Sequence, residues 1–201
     1  MRGADILVQS IAKSGTDIIF SVSGNQIMPI FDAVIDSKIK IVHCRHEASA
    51  VFMADGYSQT SGKVGIALVT AAPGFSNALG PLYAIKATQS AVVLLSGDSS
   101  VSQDGLMPFQ ELKQTKIAKG LVKKSWRILN PETIGHEIAK AISIAKTGRP
   151  GPVHLSLPFD ILNSTTSNIN LPSKNDFIPK RLELNTASKE SSFELINNSK
   201  K

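Results

Sequence analysis

Short apolar runs alternate with amphipathic segments along most of the chain. Apolar residues at helical spacing predict a helix over Asp5 to Ser14, and the run Asp17 to Val22 predicts a strand. The alternation repeats with a helix over Pro29 to Ser37, a strand over Ile39 to His43, a helix over Ala48 to Ser61 and a strand over Val64 to Val69. A helix over Phe75 to Ala87 and a strand over Ala91 to Leu95 follow, then a polar loop, a helix over Gln110 to Lys119 and a strand over Val122 to Leu129. Asn130 ahead of Pro131 and Glu132 marks a helix start, an Asn cap with proline in the first turn, and that helix runs to Lys146. Gly148, Pro150 and Gly151 end it, and Pro152 to Leu157 supplies a last strand.

Strands rich in Val, Ile and Leu, separated by helices, imply a parallel sheet buried on both faces. The expected fold is α/β, doubly wound, with about six parallel strands and helices on both faces of the sheet. From Asn163 the composition changes: of the 39 residues to Lys201, 17 are Ser, Thr or Asn and ten are apolar. Such a segment cannot bury a core of its own. The expected organisation is a domain over residues 1–162 and a polar linker over 163–201. Ser188 to Lys201 regains a weak helical pattern through Phe193, Leu195 and Ile196, as the opening helix of a further domain.

With 42% hydrophobic residues the body of the 201-residue chain is not disordered, and Cys44 as the only cysteine excludes a disulfide scaffold. A lone thiol suits a reducing, cytoplasmic setting. Asp5, Gln9 and Lys13 interrupt the N-terminal apolar residues, so neither a signal peptide nor a membrane span is expected. The formal net charge of +6 equals the six basic residues between Lys113 and Arg127, a stretch with no acidic residue, one aromatic (Trp126) and no nucleic-acid-binding motif. That run reads either as a solvated basic face or as an attractor of a small anionic substrate, not as a nucleic-acid partner surface.

In open α/β sheets ligands bind beyond the carboxyl ends of the strands, which directs attention to Ser23-Gly24-Asn25, Arg45-His46-Glu47, Ala71-Ala72-Pro73-Gly74 and Gly97-Asp98. No GxGxxG or GxxxxGK[ST] occurs, Ala50 stands where a zinc-protease helix would need its second histidine, and the Gly74 turn lacks the second glycine of a nucleophile elbow. The four histidines have no metal-ligand spacing, so no metal ligands are assigned, and His136 and His154 read as surface or core residues. Glu47, just past a strand end at the start of a helix, has two readings. It either complements the helix dipole, or it is a carboxyl in an apolar setting, where desolvation raises its pKa and lets it share a proton with a ligand.

The segment RHEASAVFMADGYSQTSGKVGIALVTAAPGFSNALGPLYAIKATQSAVVLLSGDSS, Arg45 to Ser100, closely resembles the pyrimidine-binding N-terminal domain of thiamine-diphosphate enzymes of the acetolactate synthase type. The resemblance runs on through Pro108-Phe109-Gln110-Glu111 and TGRPGPVHLSLPFDIL (Thr147 to Leu162), and back to Gly3-Ala4-Asp5. It implies that Glu47 is the activating glutamate, bonding pyrimidine N1′ and promoting the imino tautomer that leads to the thiazolium ylid. The cofactor-binding residues it implies are Glu47, Gly24, Asn25, Pro73, Gly74 and Asn77, with Phe109 and Gln110 bordering the reacting carbon beside Glu47. Ser23, Asn25 and Ala72 depart from the family's usual Pro, Gly and Gly.

The implied activity is that of a carboligase or decarboxylase acting on 2-keto acids. Ala72 to Phe75 also resembles oxalyl-CoA decarboxylases and Ser96 to Ser100 resembles 2-hydroxyacyl-CoA lyases, so acyl-CoA substrates remain open. Complete family members add a central domain, which in some binds FAD, and a diphosphate-binding domain whose Gly-Asp-Gly motif holds Mg²⁺. No such motif occurs here, because Gly97-Asp98 is followed by Ser99. The expected cofactors are therefore thiamine diphosphate with Mg²⁺ held by a diphosphate domain in cis or in trans, and FAD where the full-length protein carries its domain. A homodimer or higher oligomer is expected, with the isolated chain inactive. Three organisations stay open: part of a longer enzyme, one subunit of a split 2-oxoacid decarboxylase, and a non-catalytic α/β dimerisation module.

Overall fold

The computed structural model describes residues 1–179 and 185–199. Its strands are β1 (Ile18–Ser21), β2 (Lys40–His43), β3 (Gly65–Val69), β4 (Val92–Asp98), β5 (Lys124–Arg127) and β6 (Val153–Pro158). The helices are α1 (Gly3–Lys13), α2 (Met28–Val34), α3 (Glu47–Ser61), α4 (Pro73–Asn77), α5 (Leu79–Thr88), α6 (Gln114–Ala118), α7 (Ile134–Lys146), α8 (Phe159–Asn163) and α9 (Thr186–Asn198). The strands form one all-parallel sheet in the order β2-β1-β3-β4-β6-β5, the doubly wound α/β arrangement expected from the alternation.

Side chains alternate across the sheet and build a core on each face. Ile66, Leu68, Val93 and Leu95 pack with Ile6, Leu7 and Ile11 of α1 and Ile138 and Ile142 of α7. Ala67, Val69, Val92 and Leu94 pack with Ala50, Val51 and Ala54 of α3 and Leu82 and Ile85 of α5. A strand buried on both faces has no polar side, which is why β3 and β4 read as continuous apolar runs.

Four details differ from the sequence expectation. The helix anticipated over Phe75 to Ala87 is two, because Pro81 has no N–H for the carbonyl of Asn77 and the chain turns at Ala78 between α4 and α5. The helix anticipated over Gln110 to Lys119 starts at Gln114, since Gln110 has a left-handed φ of 64° that no α-helix accommodates. β4 runs past Leu95 to Asp98, pairing Ser96, Gly97 and Asp98 with Ser156, Leu157 and Pro158 of β6. The polar segment after Leu162 stays against the body through Ile178. Gly3 N–H donates to Ser164 O at 3.0 Å, Met1 and Thr166 bond reciprocally, Ser143 Oγ donates to Ile178 O, and Phe177 is buried in the α1–α7 core. Of the helical pattern read at Ser188 to Lys201, α9 covers most and is exposed throughout, while Lys200 and Lys201 lie outside the described residues.

Candidate active site

The strand order reverses between β1 and β3, and the carboxyl ends of these two strands and of β2 carry Gly24, Thr70 and Glu47 to one crevice at that reversal. His46 caps α3 by accepting the Ala48 N–H at its Nδ1, 3.1 Å away, which makes Glu47 the first residue of the helix. Glu47 is half-buried and takes no ion pair among the described residues, and its neighbours Arg45 and His46 are exposed. Asn77, the last residue of α4, donates from Nδ2 to Glu47 Oε2 at 2.9 Å. Glu47 Oε1 has no hydrogen-bond partner among the described residues. The arrangement fixes one carboxylate oxygen and leaves the other able to meet a ligand.

Two glycines are required here by proximity. A Cβ on Gly74 would lie 2.8 Å from Thr70 Cγ2 and 3.3 Å from Glu47 Oε1, and one on Gly24 would lie 2.3 Å from Thr70 Cβ. Pro73 opens α4. Ala72 ahead of it has φ 44° and ψ −90°, a conformation disfavoured for any residue with a side chain and costing about 1–3 kcal/mol. The structure thus brings Glu47, Gly74 and Asn77 into direct proximity, with Pro73 beside them and Gly24 joined through Thr70.

Asn25 and Phe109 line a cavity of about 250 Å³ together with Gln26, Pro108 and Phe159. Gln110 is half-buried and does not line it. Thr70 Oγ1 donates to Gln26 Oε1 at 2.7 Å, so the polar line from Glu47 continues past Gly74 and Thr70 to this cavity. Neither Thr70 nor Gln26 stood out in the sequence; a glutamine directly after Gly24-Asn25, in a turn otherwise entering a buried helix, was the available signal.

Gly97-Asp98, read as a loop, lies in β4. Asp98 is 4% exposed and accepts hydrogen bonds from Ser156 Oγ at 2.5 Å and Ser99 N–H at 2.8 Å. Arg127 Nε lies 2.9 Å from Asp98 Oδ2, off the line of a hydrogen bond, while Arg127 Nη1 pairs with Asp104 at 2.6 Å and Nη2 donates to Ser99 O. Part of the basic run is therefore structural. Lys123 Nζ donates to the carbonyls of Ile144, Thr147 and Arg149 at the end of α7, and its burial lowers its pKa. Lys124 stands over the Trp126 ring. Lys113, Lys116 and Lys119 are exposed.

His154 is fully buried between Ser96 Oγ, 2.8 Å from Nε2, and Ser125 Oγ, 2.7 Å from Nδ1. Burial drives its pKa down to about 3, so the ring is neutral, donating at one nitrogen and accepting at the other. His136 is on the surface. Among the described residues no group of three His, Cys, Asp or Glu is placed to hold a metal, and no helix is long and apolar enough to cross a membrane.

Residues 1–117 match the family described as thiamine pyrophosphate enzyme, N-terminal TPP binding domain. The chain is 37% identical over 164 residues to the acetolactate synthase isozyme 3 large subunit of Escherichia coli, covering 81% of this chain and 29% of that protein. It is 34% identical over 161 residues to the probable acetolactate synthase large subunit of Methanocaldococcus jannaschii (80% of this chain, 27% of the relative). With the acetolactate synthase large subunit of Lactococcus lactis it shares 31% identity over 195 residues (96% and 34%). The chain therefore spans about a third or less of the length of these relatives.

Proposed function

Since the chain belongs to the thiamine pyrophosphate enzymes as an N-terminal TPP-binding domain, we propose that its Glu47 crevice receives the pyrimidine of thiamine diphosphate within an acetolactate synthase-like enzyme acting on 2-keto acids. The observation that carries this reading is the state of the Glu47 carboxylate: Oε2 held by Asn77 and, among the described residues, no partner for Oε1 and no cation paired to either oxygen. A carboxyl group in that state can hold a proton against a ring nitrogen.

Bound there, the cofactor would supply the carbanion chemistry at its thiazolium C2. Glu47 would hold and return the proton at N1′, and Asn77 would keep the carboxylate turned toward the ring. Gly74 and Gly24, having no side chains, would let the flat ring approach the backbone, with Pro73 and Asn25 completing the wall. Phe109 and Gln110 would border the reacting carbon. The described residues offer no evident anchor for the diphosphate, so Mg²⁺ and its ligands are assigned to a diphosphate domain in cis or in trans, and FAD to a central domain where one is present. The exposed Phe52 and Met53 of α3 and Tyr83 of α5 support self-association as a dimer. The setting is the cytoplasm, and the substrate class is a small anionic 2-keto acid, with acyl-CoA thioesters as the alternative.

The test is pyruvate turnover by the chain assembled with a diphosphate-binding domain. Glu47→Gln keeps the shape of the side chain and removes the shared proton, and is expected to lower turnover at least about 100-fold. Near-normal turnover by Glu47→Gln rejects the assignment.

A further inference from the structure

Gln26 is a buried polar side chain that the cofactor reading leaves unused. It sits in the 3₁₀ turn Asn25–Ile27 that follows β1, is 6% exposed, and packs so closely on β4 that a Cβ on Gly97 would lie 2.7 Å from its own Cβ. A primary amide offers one acceptor oxygen and two N–H donors. The oxygen is satisfied by the Thr70 hydroxyl at 2.7 Å. The nitrogen donates to no acceptor among the described residues, yet it is not sealed off, because Gln26 lines the 250 Å³ cavity. Thr70 therefore sets the orientation of the amide: oxygen toward β3, N–H groups toward the cavity.

The remaining wall narrows the ligand. Phe109, Phe159 and Pro108 give it an apolar side, and Asn25, Ser100 and Gln103 give it neutral polar groups. The one charged residue lining it, Asp98, is engaged by Ser156 and Arg127. A ligand here meets neutral donors and apolar surface, in a volume suited to a short chain. We propose that Gln26 is a substrate-binding, specificity-determining residue whose amide nitrogen donates a hydrogen bond to an oxygen of a short-chain 2-keto acid, with the alkyl end against Phe109 and Phe159. This inference rests on the proposed function for the identity of the ligand. It adds a residue that recognises the substrate through a neutral amide instead of a cation.

The experiment is an NMR titration of the isotope-labelled chain with pyruvate, following the side-chain amide protons of Gln26. They are expected to shift saturably, and Gln26→Leu is expected to weaken binding about tenfold, the effect of one hydrogen bond to a charged partner. Gln26→Glu, which keeps the side chain's length but replaces the donor with a carboxylate, is expected to abolish binding. Thr70→Val, which frees the amide to rotate, is expected to weaken it about threefold. The variants' own spectra report whether they are folded. Absence of a saturable shift at Gln26 with millimolar pyruvate overturns the proposal, as does equal binding by folded Gln26→Leu. Turnover by the chain assembled with a diphosphate-binding domain separates the two readings: if Glu47→Gln leaves it near normal while pyruvate still shifts Gln26, the cofactor assignment fails and this one stands. The converse outcome removes Gln26 alone.

Discussion

Acidification should loosen the fold through one residue, His154. Its ring is neutral in the folded chain, with a pKa of about 3 against 6.5 for an ordinary histidine, because burial removes the charged form from water; two serine hydroxyls occupy its nitrogens. The folded-state value is depressed and the group is a base, so the unfolded chain binds the proton first. Stability is intact above about pH 6.5 and falls as pH drops from there toward 3. Each unit in that window costs up to about 1.4 kcal/mol, and integration from pH 6.5 to 4.5 gives about 2 kcal/mol. The consequence reaches the crevice, since the Phe75 ring lies 5.0 Å from the His154 ring and Phe75 sits in α4 between Gly74 and Asn77. The assay is urea denaturation at several pH values for the wild type and for His154→Gln, which retains hydrogen-bonding capacity without titrating. The variant is less stable at pH 7 but its stability changes less, by about 2 kcal/mol, between pH 6.5 and 4.5. Parallel pH profiles for the two proteins would falsify the reasoning, as would an NMR titration of His154 with a midpoint near 6.

Gly74→Val places branched carbon beyond a Cβ already 2.8 Å from Thr70 Cγ2, and should cost about 1–3 kcal/mol by overpacking while displacing Glu47, seen as lost stability in urea and altered Glu47 and Asn77 resonances. Arg127→Met leaves Asp98 buried without its cation and should cost about 3 kcal/mol, a loss that the double variant with Asp98→Asn largely restores. Phe177→Ala should cost about 3 kcal/mol in thermal or urea unfolding although it lies in a polar segment, because its ring is in the α1–α7 core; an effect below about 0.5 kcal/mol would show that the segment is dispensable.

The order of strands and helices was legible because a doubly wound sheet makes each doubly buried strand a short continuous apolar run and gives each crossover helix a helical period, and both survive in the residue pattern. Element ends were less so. Pro81 breaks a helix that periodicity alone extends through it, and β4 hides three further paired residues behind the polar letters Ser96, Gly97 and Asp98. Asp98 and Arg127 illustrate the general difficulty. Their pairing joins residues 29 positions apart, and in one dimension an acid after a glycine reads as a loop while an arginine in a basic run reads as solvent-facing. Glu47, Gly74 and Asn77, which the structure brings together, carry a motif, whereas Thr70 and Gln26 do not, since they are joined only by a contact between two strand ends. Phe177 is not legible in the sequence, because a single buried ring among Ser, Thr and Asn carries no periodic signal.

The most direct measurement of the central claim is the rate of hydrogen–deuterium exchange at the C2 position of thiamine diphosphate, with Mg²⁺, on the chain assembled with a diphosphate-binding domain. Exchange requires no substrate and reports only on whether the Glu47 crevice handles the N1′ proton. The wild-type assembly should exchange far faster than free cofactor, Asn77→Ala should be slowed through the loss of its bond to Oε2, and Glu47→Gln should fall to near the free-cofactor rate. Rapid exchange in the Glu47→Gln assembly would contradict the account.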